Sequence, residues 1–373
     1  MTDLFSPLQL RDTTVPNRVM VSPMCQYSCE ARDGRATEWH HVHLGSRAVG
    51  GAGLVMAEAT AVEKRGRITP EDLGIWNDDH ADALARTTRF VKEQGAVPGI
   101  QLAHAGRKAS KSRPWDGSRP LYPDDGGWEV IAPSGDPWPY EDDETGERVD
   151  APPTREMDQG DVEQVIDSFR QAAERARDAG FEVAEVHAAH GYLLHEFLSP
   201  VTNHREDDYG GDFEGRTRLT REVTEAVREV WPDGKPVFVR VSGTDWFDDR
   251  PSWTAEDSAR LADQLHEVGA DLIDVSSGGI APGSWPDQVG PNYQLPLAEA
   301  IRDGSESDVA IGTVGGITTP EQAQAIVANG RADLAIVGRE FLRDPYFGLH
   351  AAEALDATDE VTGPPQYRRA FGF

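Results

Sequence analysis

Eight short apolar runs recur along the chain, and most of them end at a polar or glycine-rich cluster. The runs are Val19–Val21, Leu54–Met56, Val97–Leu102, Phe181–Val186, Val237–Val241, Ala270–Val275, Val309–Val314 and Ala332–Val337. Continuous apolar runs of this length predict strands that are buried on both faces, as in a parallel sheet. Function in such folds gathers at the carboxyl ends of the strands, where the polar clusters of this chain lie.

Segments with apolar residues at helical spacing separate these runs. Several of the segments begin at an acidic residue or a threonine and end before a glycine. They are Asp78–Gln94, Met157–Ala179, Thr217–Val230, Thr254–Val268 and Thr319–Ala328. Eight strands that alternate with helices form either a closed (β/α)₈ barrel or an open doubly wound sheet. No Gly-x-Gly-x-x-Gly follows the first strand, and the glycine cluster 50–53 precedes a strand and is interpreted as a turn. We therefore predict one α/β TIM-barrel domain over residues 1–373.

The segment Ser110–Thr154 interrupts the alternation after the third strand. It is rich in Pro, Gly, Asp and Trp, and it contains the acidic run Glu141-Asp142-Asp143-Glu144. Long insertions in compact domains are usually functional or mobile. We predict a capping hairpin over the active face; a solvated acidic loop is the alternative.

Composition narrows the class of protein. Asp and Glu total 65 against 36 Lys and Arg, a formal net charge of −29, and 31 of the basic residues are arginine against 5 lysines. Such a chain repels nucleic acid and anionic membranes. The acidic, lysine-poor pattern resembles cytosolic proteins of salt-in halophiles, with an ordinary acidic mesophilic protein as the alternative.

The lack of a membrane span, of a signal segment and of a disulfide framework predicts a cytoplasmic protein. No apolar run reaches about 18 residues, so we expect no membrane span. The N-terminus lacks a basic stretch and an apolar signal core, so we expect no export. The only cysteines are Cys25 and Cys29, and so sparse a pair favours a reducing compartment.

Two glycine-bearing turns follow the last two strands, Gly315-Gly316 and Gly338-Arg339. In a barrel these loops commonly bind phosphate through backbone N–H groups, and the guanidinium of Arg339 adds a charge-assisted donor. The pattern predicts a phosphorylated ligand.

A second cluster, His187-Ala-Ala-His190-Gly-Tyr192, follows the fourth strand. Two imidazoles at this turn could hold and polarise a carbonyl oxygen, and the phenol of Tyr192 would be a neutral proton donor. A structural histidine pair is the alternative, as is a zinc site, although the spacing is not that of His-Glu-x-x-His.

Two further polar residues lie in strands three and five. Arg240 would be a guanidinium deep in a barrel and would need a partner, either an anionic part of a cofactor or an internal salt bridge. Gln101 offers one amide face at the end of strand three.

Several long motifs resemble the old yellow enzyme family, and most closely its thermophilic-like branch. They are Ser22-Pro23-Met24-Cys25-Gln26-Tyr27-Ser28, Asp72-Leu73-Gly74-Ile75-Trp76, Gln101-Leu-Ala-His104-Ala-Gly-Arg107-Lys108, His187 to Pro200, Asn203-His204-Arg205, Tyr209-Gly210-Gly211 and Gly338-Arg339. The resemblance runs from Leu4 to Arg369 and leaves out mainly the Ser110–Thr154 insertion.

The resemblance implies non-covalent binding of FMN, with NADPH or NADH as the reductant. By matching position, the FMN-lining residues would be Ser22, Pro23, Met24, Cys25, Ala59, Gln101, Arg240, Gly315, Gly316, Gly338 and Arg339. It further implies that Arg240 lies at the flavin N1–C2 carbonyl edge, Gln101 at the pyrimidine edge, and Cys25 over the flavin.

The implied reaction is reduction of the activated C=C bond of an α,β-unsaturated carbonyl compound. His187 and His190 would hold the substrate oxygen with Tyr27 as a further contact. Flavin N5 would deliver hydride, and Tyr192 would give the proton. In this branch a C-terminal arginine enters the neighbouring subunit's active site, and Arg369 fits better than Arg368. We therefore expect a homodimer or homotetramer with the tail 361–373 at the interface.

Three other functions stay open at this point. A flavin-free aldolase or isomerase barrel would need a Schiff-base lysine or a metal, and a metal-dependent hydrolase would need more carboxylates at strand ends. A flavin-binding sensor would keep the phosphate loops without needing Tyr192 or the histidine pair.

The charge balance predicts that salt stabilises the fold. At about 1 M salt the screening length falls to roughly 3 Å, which largely removes the repulsion among surface carboxylates. We expect the melting temperature, measured by calorimetry, to rise between about 0.1 and 2 M KCl. A melting temperature that stays constant across this range would contradict the halophilic interpretation.

Overall fold

The computed structural model describes residues 3–141, 146–361 and 363–371. Three members of the acidic run, Asp142, Asp143 and Glu144, lie outside the described residues, as do Thr362, Gly372 and Phe373 of the predicted interface tail.

Within the described residues, eight parallel strands close into a barrel. They are β1 (Val19–Val21), β2 (Leu54–Ala61), β3 (Val97–Ala103), β4 (Val183–Ala188), β5 (Val237–Ser242), β6 (Leu272–Ser276), β7 (Ala310–Val314) and β8 (Leu334–Val337). Each strand pairs with its successor, and β8 pairs with β1 through Ala335 and Val19. The predicted TIM barrel is confirmed.

Helices cover the outside of the barrel. They are α1 (Glu38–Val49), α2 (Asp78–Glu93), α3 (Gln159–Asp178), α4 (Leu193–Leu198), α5 (Phe213–Val230), α6 (Ala255–Glu267), α7 (Leu295–Gly304), α8 (Pro320–Ala328), α9 (Arg339–Arg343), α10 (Phe347–Ala354) and α11 (Arg368–Phe371). A hairpin of strands Leu8–Leu10 and Thr13–Val15 precedes β1. In the described part of the chain, no helix is both long enough and apolar enough to cross a membrane.

The strands are apolar because both of their faces are covered. One core layer lies between barrel and helices, and a second fills the barrel interior with large side chains such as Met56 and Ile336. Gly99 makes room for Met56, because a Cβ at Gly99 would lie 2.7 Å from the Met56 sulfur. Gly312 makes room for Ile336 in the same way, because a Cβ there would lie 2.7 Å from the Ile336 Cδ1. Every residue of β2 to β6 is buried, as expected for interior parallel strands.

The element boundaries differ from the predicted ones in two places that matter for the site. Glu58, Ala59 and Thr60 lie inside β2 rather than after it, at a register shift between Ala57 and Ala59. His187 belongs to β4 and pairs in register with Arg240 of β5. Glu58 is accommodated in its strand because its carboxylate lies 2.9 Å from the His40 Nε2 of α1.

The Ser110–Thr154 insertion contains a short antiparallel pair formed by Tyr140–Glu141 and Arg148–Val149, and its role as a cap over the active face stays a prediction. A second pair joins Val130–Ala132 to Thr154–Glu156 in parallel. Aromatic side chains tie the insertion to the barrel: the Trp115 ring lies 5.8 Å from that of Tyr27, and the Trp138 ring lies 4.5 Å from the Lys108 ammonium.

Candidate active site

A cavity of about 530 Å³ opens at the carboxyl ends of the barrel strands. Eight of the predicted site residues line it: Ser22, Met24, His190, Arg240, Gly315, Gly316, Gly338 and Arg339. The volume and the mixed lining are those of a pocket for a cofactor or substrate.

The predicted phosphate loops form one end of this cavity. Gly315 and Gly316 have φ angles of 122° and 70°, which glycine adopts without strain. A Cβ at Gly316 would lie 2.3 Å from the Gly290 oxygen, whereas one at Gly338 would meet nothing closer than 3.8 Å. Among the described residues, the N–H groups of Gly315, Gly316 and Gly338 donate no backbone hydrogen bond. The cradle is thus open and rich in free donors, as an anion requires.

Four polar residues from adjacent strands form a buried row beside the cavity, and we call it the β3–β6 polar row: Gln101, Glu185, Arg240 and Asp274. The Gln101 Nε2 donates to Glu185 Oε1 at 2.7 Å. The Arg240 Nε donates to Asp274 Oδ2 at 2.7 Å, and its terminal nitrogen donates to Ser22 Oγ at 3.1 Å. Arg240 therefore has the internal ion pair considered from the sequence, and it also faces the cavity.

His187, His190 and Tyr192 meet at the mouth of the barrel. The His187 ring lies 5.2 Å from both the His190 and the Tyr192 rings. Burial, with Arg240 and other cations nearby, holds the pKa of both histidines well below the usual range. Burial raises the pKa of Tyr192 well above 10.0. At neutral pH the cluster presents two neutral imidazoles and a neutral phenol.

One atom of this cluster lacks a partner. His187 is 3% exposed, and its Nδ1 makes no hydrogen bond to any described residue. The His190 Nε2, in contrast, lies 2.7 Å from Ser276 Oγ. The His187 Nδ1 is therefore available to a ligand at the barrel mouth.

A buried histidine–aspartate pair positions the turn that carries His190 and Tyr192. The His195 Nδ1 accepts from the Gly191 N–H at 2.8 Å, so its Nε2 carries the proton and lies 3.0 Å from Asp245 Oδ1. The turn is strained, with φ of 60° at His190. The Nδ1 is occupied by the Gly191 N–H and the Nε2 lies beside a carboxylate, so this histidine is held by the protein itself rather than by a zinc ion of the kind weighed from the sequence.

Lys108 also supports this turn and was assigned no role from the sequence. Its ammonium donates to the carbonyl oxygens of His190 at 2.6 Å and Gly279 at 2.9 Å. It lies 5.1 Å from the Tyr192 ring. Burial, with Lys111 and Arg107 nearby, lowers the pKa of Lys108 to about 7. A lysine in the loop that follows a barrel strand, in a chain with five lysines, was the signal that could have identified it.

Cys25 and Tyr27 lie on the other side of Tyr192 and pack with it against a small apolar cluster. Burial, together with the charges of Asp72 and Glu58, raises the pKa of Cys25, so the side chain is a neutral thiol. Ala59 and Tyr192 share the lining of a cavity of about 10 Å³, the size of one water molecule. Pro23 is buried between Ser22 and Met24.

Arg369 lies apart from these residues. It is exposed on α11, which follows a turn whose Tyr367 ring packs 5.8 Å from Tyr346. Its insertion into a neighbouring subunit's site stays a prediction, as do the dimer or tetramer.

Comparisons with known proteins agree on one family. Residues 3–357 match the model of the NADH:flavin oxidoreductase / NADH oxidase family. The chain is 46% identical to an NADPH dehydrogenase of Geobacillus sp. (strain WCH70) over 372 residues, covering 100% of this chain and 99% of that protein.

Solved structures show the same fold. Morphinone reductase superposes with a TM-score of 0.76 at 27% identity, covering 95% of this chain and 90% of the other. The old yellow enzyme homologue from Zymomonas mobilis superposes with a TM-score of 0.76 at 25% identity, covering 99% of each chain.

The buried His195–Asp245 pair yields a stability prediction. Asp245 Oδ2 accepts from Ser199 Oγ and from the Trp253 N–H while Oδ1 faces His195, so Asp245→Asn places an amide N–H against a donor on one side or the other. We expect a loss of about 1–3 kcal/mol in the free energy of unfolding, measured by denaturant titration in high salt. The control Asp249→Asn removes an exposed carboxylate paired with its neighbour Arg250 and should be neutral. Equal stability of the two variants would contradict the assigned hydrogen bonds.

Proposed function

The chain belongs to the NADH:flavin oxidoreductase / NADH oxidase family, and from that premise we propose that it reduces the activated C=C bond of α,β-unsaturated carbonyl compounds. Its place as an FMN-dependent NADPH oxidoreductase of old yellow enzyme type follows from the family. The enone-type substrate and the residue roles below are the proposal.

The cavity residues fit FMN. Gly315, Gly316, Gly338 and Arg339 would hold the phosphate with free backbone N–H groups and one guanidinium. Ser22 to Cys25 and Ala59 would line the ring, with Gln101 and Arg240 at its polar edge. When bound, FMN supplies the redox chemistry, taking two electrons from NAD(P)H and passing them to the substrate as a hydride.

The histidine pair would hold the substrate oxygen. Neutral imidazole N–H groups in a desolvated site are donors aimed at the oxygen where negative charge develops. The buried, unpartnered Nδ1 of His187 supports this role. Hydrogen bonding there draws electron density from the β-carbon and activates it. Tyr27, beside Tyr192, would be a further substrate contact.

Tyr192 would supply the proton to the α-carbon. Its phenol stays protonated over the whole physiological pH range because burial raises its pKa. It lies across the His187 ring, so a carbonyl held by the histidines would present its neighbouring carbons to the phenol. The observation that carries the proposal is this convergence of two neutral imidazoles and a neutral phenol beside a phosphate-fitting cavity. Neither a flavin sensor nor a storage protein needs it.

The insertion would cap this site. A cavity of about 710 Å³ within the insertion is lined by aromatic and cationic side chains, among them Lys111, Arg119, Tyr122, Trp138 and Tyr140. The Trp138 ring also lies 4.5 Å from the Lys108 ammonium of the active site, which connects this cavity to the site. We propose that the part of a bound substrate or reductant that extends beyond the Tyr192 cluster lies there.

Removing the phenol tests the proton donor. We expect Tyr192→Phe to leave reduction by NADPH intact and to slow the reaction of reduced enzyme with cyclohexenone by about 100-fold or more, followed by anaerobic stopped-flow absorbance. The matched control Tyr209→Phe removes a phenol hydroxyl that donates to the Glu222 carboxylate outside the proposed site and should react as wild type. Unchanged oxidation of the Tyr192 variant would remove the residue from this role.

Removing the two imidazoles tests the oxygen-binding site. With its oxygen held by the histidine pair, a phenolate such as that of p-hydroxybenzaldehyde would stack on bound FMN and give a long-wavelength charge-transfer band. We expect His187→Ala combined with His190→Ala to abolish this band while FMN stays bound, because both donors to the oxygen are lost. The exposed His204→Ala serves as control. A normal band in the double variant would place oxygen binding elsewhere.

A further inference from the structure

The β3–β6 polar row contains one positive and two potentially negative groups. Glu185 and Asp274 are both 0% exposed, and Arg240 is 4% exposed. The guanidinium bonds Asp274 and lies 4.0 Å from Glu185 Oε1. Two ionised carboxylates with one cation would leave a net negative charge in the barrel interior, which desolvation strongly disfavours.

The hydrogen-bond pattern shows which carboxyl oxygens remain available to a proton that would neutralise this charge. Glu185 Oε1 accepts from Gln101, and Asp274 Oδ2 accepts from Arg240. The remaining oxygens, Glu185 Oε2 and Asp274 Oδ1, have no partner as ionised groups within the described residues. The two carboxyl groups lie in hydrogen-bonding contact with each other. One proton on this pair would let one carboxyl group donate to the other and would remove the net negative charge.

We propose that Glu185 carries a proton shared with Asp274, and that this proton couples the reduction potential of the bound FMN to pH. The inference rests on the proposed placement of the flavin's polar edge at Gln101 and Arg240. Glu185 acts as a positioning residue: it touches neither substrate nor flavin, and it acts through its two neighbours.

The electrostatic argument gives the direction of the coupling. With the proton on Glu185, the carboxyl groups and Arg240 sum to zero charge; without it, they sum to −1. Reduction adds negative charge to the flavin edge next to Arg240, so the protonated row favours the reduced cofactor. By linkage, reduction must raise the proton affinity of Glu185. The groups that face Glu185 are Gln101 from β3, Arg240 from β5 and Asp274 from β6, with His187 two residues along β4.

The pH window follows from burial. Burial and the charge of Asp274 raise the pKa of Glu185 to about 8. Below that pH the oxidised enzyme already holds the proton, and reduction takes up nothing at this site. Above it, the oxidised enzyme holds a carboxylate, and reduction draws one proton from solvent to form the carboxylic acid.

Glu185 also orients Gln101. A carboxylic acid that donates to Asp274 through Oε2 leaves Oε1 as an acceptor, so the amide of Gln101 must turn its Nε2 toward Glu185. The amide oxygen is then directed away from Glu185 and is free for a donor on the ligand. Loss of the proton would shift this preference only slightly, which is why the potential is the sensitive readout.

The test is the midpoint potential of bound FMN as a function of pH, measured by anaerobic dye equilibration. We expect the wild-type potential to fall more steeply above pH 8, by about 30 mV per pH unit, because one additional proton accompanies two electrons. Glu185→Gln is isosteric with the protonated acid: its amide donates to Asp274 and accepts from Gln101. We expect it to match wild type near pH 7 and to lack the added slope.

Glu196→Gln is the matched control. Glu196 is also 0% exposed, and burial raises its pKa to about 8, but its carboxylate accepts from the Arg107 N–H on another part of the barrel mouth. This variant should keep the wild-type slope. An added slope that persists in Glu185→Gln, or one that is missing in wild type, would overturn the proposal.

A second measurement uses only the wild-type enzyme, so it tests the proposal even if Glu185→Gln does not retain FMN. Reduced-minus-oxidised infrared difference spectra of wild type above pH 8 should show a carboxylic-acid C=O band appearing on reduction, shifted in D₂O. Its absence would contradict proton uptake at Glu185. Neither measurement involves an enone, so a failed ene-reductase assay leaves the inference intact.

Discussion

In-register pairing of β3, β4, β5 and β6 is the constraint on which the site depends. The pairing places Gln101 opposite Glu185, His187 opposite Arg240, and Arg240 opposite Asp274. A shift of one residue in any of these strands would turn its polar side chain to the other face. The polar row and the histidine pair would then separate, and with them the proposed polar edge of the FMN site and the proposed oxygen-binding site.

Burial then determines which groups carry charge. The surface is strongly acidic, yet the groups at the barrel mouth are held neutral: the imidazoles of His187 and His190, the phenol of Tyr192 and the thiol of Cys25. Neutral donors can bind a developing oxyanion without a competing counter-ion. Arg240, among the groups at the barrel mouth, carries a charge, which Asp274 balances. The same low dielectric that gives these groups their chemistry makes the orphan oxygens of the carboxyl pair costly.

The fold and most of the cavity could be predicted from the sequence, because buried parallel strands leave continuous apolar runs and the phosphate loops carry paired glycines. The positions of Glu58 and His187 inside strands could not be predicted, because a run of apolar residues does not show where a buried strand tolerates a polar side chain. Glu185 and Asp274 sit within such runs and look like interruptions; only the register of neighbouring strands shows that they meet. His195 and Lys108 were visible within the recognised motifs, but their support of the His190 turn depends on contacts between residues that are distant in the chain. The halophilic character, the oligomer and the reach of Arg369 depend on solvent or on other chains, and they remain predictions.

The most direct test of the account is a single-turnover reaction of the wild-type enzyme. Protein purified in high salt would be reduced anaerobically with one equivalent of NADPH and then mixed with 2-cyclohexen-1-one. The account predicts that the oxidised flavin spectrum returns together with one equivalent of cyclohexanone. Flavin that stays reduced until oxygen is admitted, with the enone recovered unchanged, would contradict it.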